Sequence, residues 1–153
     1  MSLISRSLLE KDVHLTLRGN DPGDALEELF RNLVSDPRVR DWKKLRESLV
    51  KNSASEAFRE VPSAMFLHHS RTPTVSELVL AVGRSDHGLS IPGRGEPCRL
   101  LFIAAIPEAL DNDYLRVLGA ISRICRNGES LEGLLHAGTP AAFIASLEEG
   151  CRS

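Results

Sequence analysis

Phe66-Leu67-His68-His69-Ser70-Arg71-Thr72, followed after six residues by Val79-Leu80-Ala81-Val82-Gly83-Arg84-Ser85, is the stretch on which the reading of this chain turns. A short apolar run delivers two adjacent histidines into a polar segment carrying a hydroxyl and a guanidinium. A second apolar run, suited to a buried strand, then begins. Neutral imidazole is a nucleophile near pH 7 and accepts a phosphoryl group on a ring nitrogen. Arginine is the natural partner for the charge such a group brings. If the first run is extended through both histidines, their side chains alternate to opposite sides.

Outward from this stretch the rest of the chain reads as alternating helices and strands. Toward the N-terminus, His14–Leu17 suggests a short strand entered from the Leu3–Leu9 segment. Asp21-Pro22-Gly23-Asp24 has the residues of a helix start, and Ala25, Leu26, Leu29, Phe30 and Leu33 form an apolar stripe behind it. Asp36-Pro37 repeats the signal before a second helix bearing Val39, Trp42, Leu45, Leu49 and Val50. Residues 52–60 fit either a short helix or a loop.

Toward the C-terminus, Leu78–Val82 and Leu100–Ile106 are near-continuous apolar runs, the pattern of central strands covered on both faces. Residues 91–97 between them are dense in proline and glycine and read as an exposed connection. A long helix is predicted from about Asn112 to Arg126, with Leu115, Leu118, Ile121, Ile124 and Cys125 inward and Asn127-Gly128 as its stop. A short helix contains Leu131, Leu134 and Leu135 and closes at Gly138. Thr139-Pro140 opens the last, which carries Ala142, Phe143, Ile144 and Leu147. The expected fold is a single α/β domain spanning residues 1–153, a small sheet under several helices.

Composition narrows the function classes. A net charge of -2 with interspersed basic and acidic residues makes no case for nucleic acid. The longest apolar segment falls far short of the roughly 20 residues a membrane span needs. Residues 1–6 lack the pattern of a signal peptide. Cys98, Cys125 and Cys151 form no CxxC pair, and Cys98 and Cys125, in apolar contexts, are read as reduced core residues of a cytoplasmic protein. His14, His87 and His136 lie in segments unrelated to His68-His69, and no metal set or cofactor is inferred.

This order of elements resembles the fructose/mannitol-type enzyme IIA domain of the bacterial phosphoenolpyruvate-dependent sugar phosphotransferase system. The family's phosphorylation motif, roughly Gly-x-Ala-Ile-Pro-His-Ala/Gly-Arg, lies over the His68-His69 stretch. Its Val-Leu-Ala-Leu-Gly-Arg-Ser strand lies over Val79–Ser85, and Gly95-Glu96-Pro97 through Ile106-Pro107-Glu108 echoes a third family segment. The resemblance covers about Leu3 to Glu149 and implies a small mixed central sheet covered by helices on both faces.

What the resemblance implies for the site is residue-specific. His69 is the expected phosphoacceptor, because His68 takes the place of the family's proline. Arg71, Ser70 and Tyr114 are expected as support, Tyr114 standing where the family has a second active-site histidine. The family's glycine-rich loop is replaced by residues 55–63, and its upstream basic residue has only Lys51 and Arg59 as neighbours in sequence.

The expected donor is a histidine-phosphorylated phosphocarrier protein, and the expected acceptor a sugar-transporter component or a regulatory protein. A regulatory role stands beside sugar uptake, and a homodimer is allowed. The rival reading is an enzyme IIA-like regulatory or protein-binding module that is not phosphorylated. Only an active site would make the chain a phosphotransferase component.

Overall fold

The computed structural model describes residues 3–52, 65–91, 95–109 and 113–152. A short helix α1 (Leu3–Ser7) runs directly into strand β1 (Leu8–His14), so the first strand lies earlier than the predicted His14–Leu17. The reason is a bulge. Leu8 and Val13 of β1 face Leu80 and Val82, so the alternation that marks a strand in sequence is broken there.

Helix α2 (Pro22–Leu33) begins as read: the Asp21 carboxylate accepts the Asp24 N–H at 2.9 Å, and Ala25, Leu26, Leu29, Phe30 and Leu33 are all buried. The next helix does not start at Asp36-Pro37. Residues 36–40 form an irregular brace in which Val39 makes an antiparallel bridge to Val75. Helix α3 (Trp42–Asn52) follows, with the Asp41 carboxylate accepting the Lys44 N–H at 3.2 Å. Asp41, not Asp36, is the helix signal. Val50, expected on the apolar stripe, is 49% exposed. The undecided stretch after Asn52, including the loop 55–63 and Arg59, lies outside the described residues.

Three strands complete the sheet: β2 (Met65–Thr72), β3 (Val79–Leu89) and β4 (Cys98–Pro107). Strand β3 outruns its apolar core Leu78–Val82 because its ladder with β4 continues through Gly83 and Arg84. A register shift separates Arg84 from Leu89, and Gly88 within it takes φ +88, where a side chain is strained. Residues 92–94 of the predicted turn lie outside the described residues, while Gly95 and Glu96 are exposed.

The last three helices are α4 (Asp113–Arg126), α5 (Gly128–His136) and α6 (Pro140–Arg152). Helix α4 keeps its expected inward face except at Leu115, with Leu118 packed against the core. Val117, Ile121, Ile124 and Cys125 are buried, but Leu115 is 54% exposed. Asn127-Gly128 is a start and not only a stop, since the Asn127 side chain accepts the Ser130 N–H at 3.0 Å and Gly128 is the first residue of α5. Thr139 caps α6 through the Ala142 N–H at 3.1 Å, although Ala142 itself is exposed.

The strand order is β1-β3-β4-β2, with β1 parallel to β3, β3 antiparallel to β4, and β4 parallel to β2. Each face buries its own core. One unites Met65, Leu67, Phe102 and Ala104 with Val117, Ile121, Leu134 and Phe143 of α4–α6. The other unites Ala81, Leu101 and Ile103 with Leu29, Phe30, Leu45 and Leu49 of α2 and α3. The fold is therefore α/β, a small mixed sheet covered by helices on both faces, as the sequence led us to expect.

Candidate active site at the end of the histidine strand

Strand β2 pairs with β4 in unbroken register from Met65↔Leu100 to Thr72↔Pro107, so its side chains alternate strictly. Met65 and Leu67 join the core under α4–α6, and His69 and Arg71 continue the same face. Phe66 packs with the α2–α3 core, and His68, Ser70 and Thr72 follow it there. Two adjacent histidines thus belong to opposite sides of the sheet.

His68 is 2% exposed, its ring 4.9 Å from that of Phe66. Burial pushes its pKa down to about 4 against a weaker opposing pull from the Leu49 backbone. It is a neutral core residue with no opening to a protein-sized donor.

His69 is half-buried within β2, three residues before its end, and pairs with Ala104. Burial lowers its pKa too, which favours the neutral, nucleophilic imidazole. Arg71 follows on the same face, with Cα about 6.7 Å further along by strand geometry. The exposed Arg71 places its guanidinium carbon 5.0 Å from the centroid of the Tyr114 ring, a cation–π contact that joins the strand end to the first turn of α4. Of the three residues expected at the site, Arg71 and Tyr114 meet in this contact, and His69 shares the strand face of Arg71.

Two expected supports are elsewhere. Ser70 is buried on the His68 side, and its hydroxyl donates to the Arg71 carbonyl at 3.2 Å. It is not aimed at a group on His69. Lys51 is exposed at the end of α3. Arg84 is structural, its Nη1 donating to the carbonyls of Leu134 in α5 and of Ala137, which caps that helix, at 3.0 and 2.7 Å. Among the described residues no three His, Cys, Asp or Glu side chains converge as metal ligands.

A hollow of 310 Å³ lies between α5 and α6 and one of 410 Å³ beside Arg18 and Glu28, and His69 lines neither. Sequence reasoning missed a charge cluster in which Asp12 and Asp36 are buried against the half-buried Arg38. Their signal was Asp12 inside a strand, masked by the bulge.

Comparison with known proteins follows the same lines. A solved structure of the nitrogen regulatory protein IIA-Ntr from Neisseria meningitidis superposes with a TM-score of 0.83 at 20% identity, over 95% of this chain and 99% of that one. A complex of enzyme IIAMTL and phosphorylated enzyme IIBMTL from Escherichia coli matches with a TM-score of 0.69 at 12% identity, over 91% and 95%. At these identities both show the fold.

In sequence, the fructose-specific EIIA component of Haloferax volcanii is 31% identical over 114 residues, 74% of this chain and 73% of that protein. The fructose-specific EIIABC component of Bacillus subtilis is 23% identical over 142 residues, and the chain spans only 22% of that relative's length. No helix among the described residues is long and apolar enough to cross a membrane. The family model described as "Phosphoenolpyruvate-dependent sugar phosphotransferase system, EIIA 2" matches residues 7–150, and the chain belongs to that family.

Proposed function

We propose that this chain is a cytoplasmic phosphocarrier of one domain, in which His69 accepts a phosphoryl group from a histidine-phosphorylated phosphocarrier protein. A ring nitrogen of neutral His69 forms the new N–P bond as the donor's N–P bond breaks, and the donor imidazole leaves with its electron pair. The phosphoryl group then passes to a sugar-transporter component or a regulatory protein. The complex of the Escherichia coli mannitol IIA with phosphorylated IIB supports an acceptor of the first kind.

The observation that carries the reading is the separation of the two histidines. His69 stands neutral and half-buried on the strand face it shares with Arg71, whereas His68 is shut in the core. Arg71 supplies positive charge for the incoming phosphoryl group, and the Tyr114 ring holds Arg71 at the site.

A second reading, a partner-binding module that carries no phosphate, is favoured by the site's single described cation–π pair: Arg71 is already stacked on Tyr114. One experiment separates them. The chain is incubated with phosphoenolpyruvate, enzyme I and the phosphocarrier protein, and its intact mass is measured. An acid-labile phosphate-sized gain, absent in His69→Ala, is expected. No gain under conditions that label a standard enzyme IIA would overturn the carrier reading, and a gain retained in His69→Ala but lost in His68→Ala would move the site.

A further inference from the structure

The ladder aligns Leu8, Leu80, Ala104 and His69 in one row across all four strands. Leu8 is therefore three strand spacings from His69, about 14 Å, at the same level of the sheet. Immediately before Leu8, the Ser7 carbonyl accepts Arg38 Nη1 at 2.9 Å.

Arg38 is locked from two further sides. Its Nη2 donates to Asp12 Oδ2 and to Asp36 Oδ2, both at 2.9 Å, and its Nε to Asp36 Oδ1 at 3.1 Å. Lys11 Nζ closes on Asp36 at 3.0 Å, and Glu77 adds its charge to the field at Arg38. Both aspartate side chains are fully buried. A guanidinium with this many directed partners fixes the 36–40 brace against β1.

The other side of the brace grips the turn that follows the histidine strand. Arg40 N–H donates to the Thr74 carbonyl at 2.8 Å, and its Nη2 to the Pro73 carbonyl at 2.6 Å. Val39 bridges Val75. Inside the turn, Thr72 Oγ1 donates to Thr74 Oγ1 at 3.0 Å and accepts the Thr74 N–H at 3.2 Å. Thr72 is the last residue of β2 and the neighbour of Arg71.

We infer that Arg40 is a positioning residue for the His69 site: anchored through Arg38 to the buried aspartates, it holds the turn 72–75 and so sets where β2 ends and where Arg71 points. The phosphoryl-transfer consequence rests on the carrier reading above, whereas the structural consequence does not. Arg40 is exposed, so its side chain can be removed without opening a core.

The test uses the whole chain with Arg40→Ala, Arg40→Lys and, as a control, Arg46→Ala, an exposed arginine paired with Glu27 away from the turn. Three quantities are read: amide hydrogen exchange at Thr74 and Val75, the His69 ring titration by NMR, and the rate of His69 phosphorylation by the phosphorylated phosphocarrier protein. Arg40→Ala is expected to speed exchange at Thr74 about ten-fold and slow phosphorylation about three- to ten-fold, the size of one lost solvent-exposed hydrogen bond. It should also shift the His69 titration while leaving the thermal midpoint unchanged. Arg40→Lys should recover most of each effect, and Arg46→Ala should show none. Unchanged exchange and an unchanged His69 titration in Arg40→Ala would overturn the inference. If wild-type His69 takes no phosphate, the carrier reading fails, and exchange and titration still decide the role of Arg40.

Discussion

The Arg71 guanidinium lies over the Tyr114 ring at 5.0 Å, tying the end of the histidine strand to the start of α4. The contact needs the ring face and not the hydroxyl. Tyr114→Phe should therefore phosphorylate at His69 within about two-fold of wild type, while Tyr114→Ala, which frees Arg71, slows it about three- to five-fold, the worth of an exposed cation–π pair. Initial rates from intact mass decide. Equal losses in both variants would mean the hydroxyl, and not the ring, does the work.

Acid stability has two opposing contributions. His68 is held neutral with a pKa of about 4 against an ordinary 6.5, so as pH falls the unfolded chain binds the proton first. That removes stability between 6.5 and about 4, by roughly 3 kcal/mol. His69, lowered by its burial, acts in the same direction. Asp12 is pushed up to about 6 from 3.8, chiefly by burial and then by Asp36, so there the folded chain binds first and stability rises as pH falls through that window. Asp36 is held far below the carboxylate range by Arg38 and Lys11, and its loss falls below pH 3.8.

Urea denaturation of wild type should therefore give a nearly level profile from pH 6.5 to 4. Asp12→Asn should lose roughly 2–3 kcal/mol over the same interval, and His68→Leu should gain as pH falls. Level profiles in both variants would refute the compensation.

Arg84 reaches from β3 to the C-terminal end of α5, at 3.0 Å to the Leu134 carbonyl and 2.7 Å to that of the capping Ala137. A cation at a helix C-terminus satisfies carbonyls that have no partner within the helix. Arg84→Met keeps the buried stem and should cost about 2–4 kcal/mol, the loss of two charge-assisted bonds. Faster amide exchange in the last turn of α5 should accompany it.

Gly83 leaves no room for a side chain, since a Cβ would lie 2.6 Å from Leu17 Cδ1 and 2.7 Å from Leu17 Cγ. Gly83→Ala should destabilise by about 1–3 kcal/mol through overpacking. Adding Leu17→Ala should cost less than the sum of the two single changes, because the clash is what they share. Strict additivity in denaturation midpoints would place the cause elsewhere.

Local chemistry was legible wherever one residue type answers one backbone need. Asp21 and Thr139 open helices because a side-chain oxygen must meet an unpaired N–H, and each does so. The same signal misled at Asp36. Its carboxylate accepts the Arg38 N–H at 2.9 Å, as a capping residue would, but its other partners are the Arg38 guanidinium and Lys11 of β1, which hold it in the brace instead of at a helix start. Leu115 was misphased because side-chain character alone did not say which face of α4 meets the sheet. It borders Tyr114, at the open end of the site.

What the sequence alone determined here is the alternation of β2: neighbours on a strand point opposite ways, so His68 and His69 had to part. It also determined the two-faced apolar content of β3 and β4 that a sheet between helices requires. Which histidine would be sealed and which left open was decided only by tertiary packing, when α3 and Phe66 closed over His68 and left His69 on the face it shares with Arg71 and Tyr114. Tertiary structure also decided that Asp12, Asp36 and Arg38, up to 26 residues apart, would meet in the interior. A buried charge is tolerated only where distant partners arrive to meet it, and no local stretch of sequence records which partners those are.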